Sequence, residues 1–195
     1  MPIQGIMKLQ TSTDEETKMS LLLAIHCAPI LLGIKAANIM TVTGREFFRI
    51  GDLLRDTGIS YCFLKTKGDK GILYLYREQE IMKYLHSEDI QSFLKGYGYE
   101  TENFQEMLER LSKRIHIYSN GEEEFPHEIG VFLEYPLIDV KGFVDNDGKN
   151  FIYSGYWKVY ADVNNTLRKF REYDLVREHA IQAVVSGKKI REIAV

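Results

Sequence analysis

The chain has little cysteine, little proline and no long uninterrupted apolar run. Two cysteines in 195 residues exclude a disulfide framework, and no CxxC or Cys/His zinc spacing occurs. Four prolines are scattered, so no Pro/Ser-rich linker divides the chain, and there is neither a repeat nor a low-complexity run. The longest apolar stretch, Leu21 to Ile34, is broken by His26, Cys27, Pro29 and Gly33 and falls short of the ~20 residues of a membrane span. Asp14, Glu15 and Glu16 precede it, where a signal peptide carries positive charge, so no targeting segment and a cytoplasmic location are expected. A charge excess is missing too. The 25 basic residues stand against 28 acidic ones, net −3, which argues against a nucleic-acid partner.

What remains is an ordinary folding composition, 45% hydrophobic and 27% charged, long enough to bury a core as one domain. Residues 1–12 read as a frayed N-terminus. Thr13-Asp14-Glu15-Glu16 reads as a capping box, followed at helical spacing by Met19, Leu22, Leu23 and His26, and Pro29 ends that helix near His26–Cys27. Residues 45–56 form a second helix closed by Thr57-Gly58. Ile59 to Thr66 and Ile72 to Arg77 form a hairpin. Glu78 to His86 is a short helix, Ser87 caps the next, and Thr101 caps an amphipathic one carrying Phe104, Met107, Leu108, Leu111 and Ile115. Ile129 to Glu134 is a compact apolar strand, Pro136 opens a helix, and Phe151 to Ala161 is an aromatic strand. A last helix over 163–186 ends at Gly187. The expectation is a single α+β domain with a small mixed or antiparallel sheet of about four strands, covered by about seven helices.

Standard motifs fail. Lys65 to Gly71 (KTKGDKG) lacks the GxxxxGK[ST] order and is a charged turn. Gly96-Tyr97-Gly98 has neither a third glycine nor a preceding strand. HExxH, GxSxG and EF-hand spacings are absent.

Three constellations carry chemistry. The first is His26-Cys27-Ala28-Pro29, a thiol beside an imidazole, with His127 as a base and Asp139 as its orienter further along; the plain alternative is a buried cysteine used as core filler. The second is Pro126-His127-Glu128, with Tyr135-Pro136 and Asp139 after the 129–134 segment. Asp139 there stabilises a helix N-terminus, and His127 and Glu128 with His26 and Cys27 form a mixed donor set that zinc or iron accepts, although nothing in the spacing demands a metal. The third is Ser154 to Tyr160, where alternation puts Trp157 and Val159 on one face and Tyr156, Lys158 and Tyr160 on the other. That second face suits a flat anionic ligand, or simply packs with Lys158 reaching to water.

These blocks resemble a bacterial family of unknown function found mainly in anaerobic Firmicutes. The matching segments are HCAP at 26–29, GIKAANI at 33–39, HEIGVFLEYPLIDVKGFV at 127–144 and SGYWKVY at 154–160. The resemblance spans nearly the whole chain. The family pattern has glycine where Glu134 stands, proline where Ala36 stands and often an acidic residue where Ile138 stands. It keeps His26, Cys27, Lys35, Asn38, His127, Tyr135, Asp139 and Trp157, and it implies no activity.

The leading expectation is a small-molecule-binding protein with a thiol-dependent transferase or hydrolase site. In it Cys27 is the nucleophile, His26 or His127 the base and Asp139 the orienter, while Lys35, Asn38, Tyr135, Tyr156, Lys158 and Tyr160 contact an anionic small molecule. The rivals are a non-catalytic module binding a ligand or a protein, and a metal-binding protein. The cofactor, if any, is left unknown, neither nucleic acid nor membrane is expected as a partner, and self-association is left open.

Overall fold

A computed structural model describes residues 14–195, so the reading of Thr13 as a cap and of 1–12 as frayed lies outside the described residues. The elements in chain order are α1 (Glu15–Leu31), β1 (Ala37–Thr43), α2 (Gly44–Leu53), β2 (Ser60–Lys65), β3 (Lys70–Tyr76), α3 (Glu78–Leu85), α4 (Glu88–Gly96), α5 (Phe104–Ser119), α6 (Ile129–Phe132), α7 (Leu137–Asp145), β4 (Tyr153–Ser154), β5 (Lys158–Val159), α8 (Val163–Val185) and α9 (Ile190–Ile193). The class is α+β. No helix among the described residues is long and apolar enough to cross a membrane.

The chain divides into two compact units. The first holds residues up to Phe63, Gly68–Arg77 and Arg171–Val195; the second holds Leu64–Lys67 and Glu78–Phe170. In the first, a three-stranded sheet has the order β1-β3-β2, with β1 and β3 antiparallel from Ala37↔Tyr76 to Thr43↔Lys70. Its core joins α1, β1, β3, the end of α8 and α9 through Leu23, Ile30, Leu31, Val42, Leu73, Leu75, Ile181 and Ile190.

Three sequence expectations are corrected here. Helix α1 does not stop at His26–Cys27 but runs through Pro29 to Leu31. A proline inside a helix costs about 3 kcal/mol. Full burial of Ile30 and Leu31 returns roughly 1.5–3 kcal/mol each and outweighs it. The helix closes in a Schellman motif, with Gly33 at φ +65 and the amides of Ile34 and Gly33 donating to Pro29 O at 2.8 Å and Ile30 O at 3.2 Å. Strand β1 was not expected. Its β-branched residues Ile39, Thr41, Val42 and Thr43 run into a capping box in which Thr43 Oγ1 accepts from the Glu46 amide at 3.3 Å and Glu46 accepts from the Thr43 amide at 2.7 Å. For α5, Asn103 rather than Thr101 is the cap, its Oδ1 accepting from the Gln105 and Glu106 amides.

In the second unit the 129–134 segment is not a strand. Ile129–Phe132 is one helical turn, α6. A short apolar run buried on all sides has no periodicity to separate strand from helix, and here the backbone is satisfied locally: Val131 N donates to Glu128 O at 2.9 Å and Leu133 N to Ile129 O at 3.0 Å. The aromatic 151–161 segment is not one strand either. It doubles back as the β4–β5 hairpin, pairing Tyr153↔Val159 and Ser154↔Lys158. The reversal begins at Gly155, where a Cβ would lie 2.3 Å from the Phe170 ring, so only glycine fits against that ring.

Candidate functional site

The second unit contains a cavity of ≈ 280 Å³. Three segments build it. The chain entering α6 supplies Phe125 and His127 and α6 itself Gly130, helix α7 supplies Asp139, Val140 and Phe143, and the hairpin supplies Ser154, Gly155, Trp157 and Lys158, with Tyr135 from the α6–α7 link. On α7, Asp139 and Phe143 are four residues apart and therefore share a face. Gly130 lets α7 approach, since a Cβ there would meet Val140 at 2.9 Å.

Aromatic rings form the walls. Tyr135 stacks on Trp157 with centroids 4.8 Å apart and planes 27° apart, and Trp157 meets Phe170 edge-on at 4.6 Å. The His127 ring lies 4.7 Å from Phe143 and 5.3 Å from Phe125. Burial pushes the Tyr135 hydroxyl up to about 12, so this wall stays neutral. Tyr84 Oη donates to Tyr135 O at 2.6 Å and fixes the link between the two helices.

Most polar groups of the cavity are already engaged. Asp139, 2% exposed, accepts from Trp157 Nε1 at 2.8 Å on Oδ2, and from the Tyr160 and Ala161 amides at 2.7 and 3.2 Å on Oδ1. Its carboxylate thus pins the returning strand of the hairpin to α7. Lys158 Nζ donates to Gly148 O at 2.6 Å and lies 5.3 Å from the Phe143 ring centroid and 4.9 Å from that of Phe151. Among the described residues no carboxylate pairs with this ammonium, and no hydrogen bond reaches the ring nitrogens of His127. Those two side chains are chemically available, as is the Ser154 hydroxyl on the hairpin.

Tyr156 is partly exposed at the turn of the hairpin, and its carbonyl accepts from Tyr135 Oη at 3.4 Å. Tyr160 lies over Gly142; its hydroxyl oxygen is buried without a hydrogen-bond partner, and burial with Asp139 nearby raises its pKa. Neither lines the cavity. His26, Cys27, Lys35 and Asn38 belong to the first unit, whereas His127 and Asp139 belong to the second. Cys27 is fully enclosed, and burial pushes its thiol up to about 12 despite Lys35 nearby. His26, next to it in the helix, is exposed, and its carbonyl accepts from Asn38 Nδ2 at 2.7 Å. Lys35 is buried.

Among the described residues no three His, Cys, Asp or Glu side chains gather as a metal site. Glu128, which the sequence offered as a donor, is fully buried and held by the Arg114 guanidinium and by Tyr99 Oη at 3.0 Å. Sequence reasoning missed Phe125, Phe143 and Gly155. The i, i+4 relation of Phe143 to Asp139 was the available signal for one of them.

No curated protein and no solved structure matches this chain. A family model does, over residues 23–194, a span that takes in both units and every segment of the cavity, and so the chain belongs to the family described as protein of unknown function (DUF3793).

Proposed function

We propose that the protein is a small-molecule-binding module whose ligand lies in the aromatic cavity of the second unit. One observation carries this reading. The cavity is walled by aromatic rings, its buried carboxylate is engaged in holding Trp157 and the hairpin, and Lys158, His127 and the Ser154 hydroxyl are the lining side chains that keep polar capacity. Apolar walls with a few convergent polar groups are the general pattern of ligand sites. A cavity of 150 Å³ already accepts benzene, so ≈ 280 Å³ suits one or two rings. Rigid walls of this kind also need little reordering on binding, which conserves affinity.

Catalysis by Cys27 has weaker support. A thiol at about 12 is protonated at neutral pH and is not a nucleophile in that form. A binding module needs no such group.

The test is a fragment screen read by thermal shift on the protein and on Ser154→Phe. Ser154 is exposed and lines the cavity, so a ring there fills the space without disturbing the core. Flat fragments are expected to raise the Tm of the parent protein and not of the variant. A screen without hits, or with equal shifts in both proteins, refutes the reading.

A further inference from the structure

We infer that the ligand is a flat aromatic acid whose ring lies among Tyr135, Trp157 and Phe143 and whose carboxylate meets Lys158 and His127. This rests on the cavity being a ligand site, and it adds the charge and shape of what enters.

The shape follows from the walls. Tyr135 and Trp157 stack on each other with planes 27° apart and so present an outer ring surface, and His127 packs at 50° against Phe143. Planar rings pack best against faces arranged in this way. A branched aliphatic body of the same volume would lose those contacts.

The charge follows from what is free. An aromatic enclosure alone would suit a quaternary ammonium, but here an ammonium of the protein already occupies that role. Lys158 Nζ sits over Phe143 and Phe151, and a second cation beside it would be repelled. An anion is attracted instead. Lys158 spends one N–H on Gly148 O and has two more to offer, while a His127 ring nitrogen adds a further donor. Both side chains pack against the Phe143 ring and line the same cavity, and the proposed acidic group lies between them. A phosphate ester would bring more charge and more acceptor atoms than one lysine and one histidine satisfy. A carboxylate has two oxygens for the two side chains.

Asp139 sets the direction of the ligand. Its carboxylate also borders the cavity, bonded to Trp157 Nε1, and repels an acid placed against it. The acidic group therefore lies at the Lys158 end and the ring at the Trp157 end.

The chain has one tryptophan, so protein labelled with 5-fluorotryptophan gives a single 19F resonance that reports on the cavity. Three probes with one ring system are titrated: indole, indole-3-carboxylate and 3-(aminomethyl)indole. All perturbations are expected at the Trp157 signal, with indole-3-carboxylate at least tenfold tighter than indole and the amine weaker than indole. Lys158→Met should remove most of the tenfold advantage and leave indole binding within about twofold, and Lys158→Arg should restore the advantage. If indole binds and the carboxylate binds no tighter, or the amine binds tightest, the acid is refuted and the cavity reading stands. If the carboxylate advantage survives in Lys158→Met, the assigned anchor is wrong. If no probe moves the resonance, the cavity reading falls and takes this inference with it.

Discussion

The Asp139 carboxylate accepts the indole N–H of Trp157 at 2.8 Å while its other oxygen takes two backbone amides of the returning strand. One buried side chain therefore sets both the position of the ring that walls the cavity and the path of the chain beyond it. Asp139→Asn keeps the size but places an amide where an acceptor is needed and weakens three charge-assisted bonds. A loss of about 2 kcal/mol is expected. It is read as a lower urea midpoint together with a changed near-ultraviolet circular dichroism signal from Trp157; an unchanged signal and midpoint would mean that the carboxylate does not organise the hairpin.

Enclosure of Cys27 has a consequence at alkaline pH. The thiol is held up to about 12 in the folded chain and titrates near 8.5 when unfolded. Below 8.5 both states are protonated and stability is at its full value. Above it the unfolded state releases a proton that the folded state retains, so stability falls as pH rises toward 12. The slope from this one group is about 1.4 kcal/mol per pH unit. Between pH 9 and 11, Cys27→Ala should show a stability profile shallower by that amount in denaturant titrations. Alkylation should agree: at neutral pH the native Cys27 should react far more slowly than in denaturant, and equal rates would show that the thiol is accessible.

Helices with a clear stripe or cap were legible in the sequence. Phe104, Met107, Leu108, Leu111 and Ile115 are all buried on α5, and α8 ends before a left-handed Gly187. The alternation that set Trp157 and Val159 against Tyr156, Lys158 and Tyr160 matches the burial of the first two, but the hairpin brings Lys158 to the same cavity as Trp157. Local pattern failed wherever tertiary burial decided. IGVF at 129–132 is enclosed on every side, so its β-branched residues say nothing of a partner strand, and Pro29 is overruled by the burial of the residues after it. The cavity was half legible for the same reason. Polar His127, Asp139 and Lys158 stand out in a sequence, whereas Phe125 and Phe143 resemble core until the fold leaves space beside them.

The Tyr99, Arg114 and Glu128 triad does not itself line the cavity and is separately testable. Glu128 is fully buried, and its partner Arg114 is partly open to solvent. Removing Tyr99 Oη leaves Glu128 with one partner fewer, and neutralising Glu128 leaves the tyrosine a weaker acceptor. A double-mutant cycle of Tyr99→Phe and Glu128→Gln should give a coupling of about 1–2 kcal/mol. Additive effects in urea denaturation would show that the hydroxyl and the carboxylate act separately.

Glu134 occupies a position that glycine suits better. It is the first residue past the cap of α6, at φ 58, and the turn around it is a Schellman motif: Tyr135 N donates to Gly130 O and Glu134 N to Val131 O, both at 2.9 Å. A non-glycine residue in this left-handed conformation bears a strain of about 1–2 kcal/mol. Glycine also carries more freedom in the unfolded chain, which returns part of the gain. Glu134→Gly should therefore raise stability by up to about 1 kcal/mol, seen as a higher Tm. Glu134→Ala keeps the strain and loses the charge, and should show no rise. A rise in both variants would assign the effect to the removed carboxylate, which lies close enough to Tyr84 to raise its pKa, and not to the backbone.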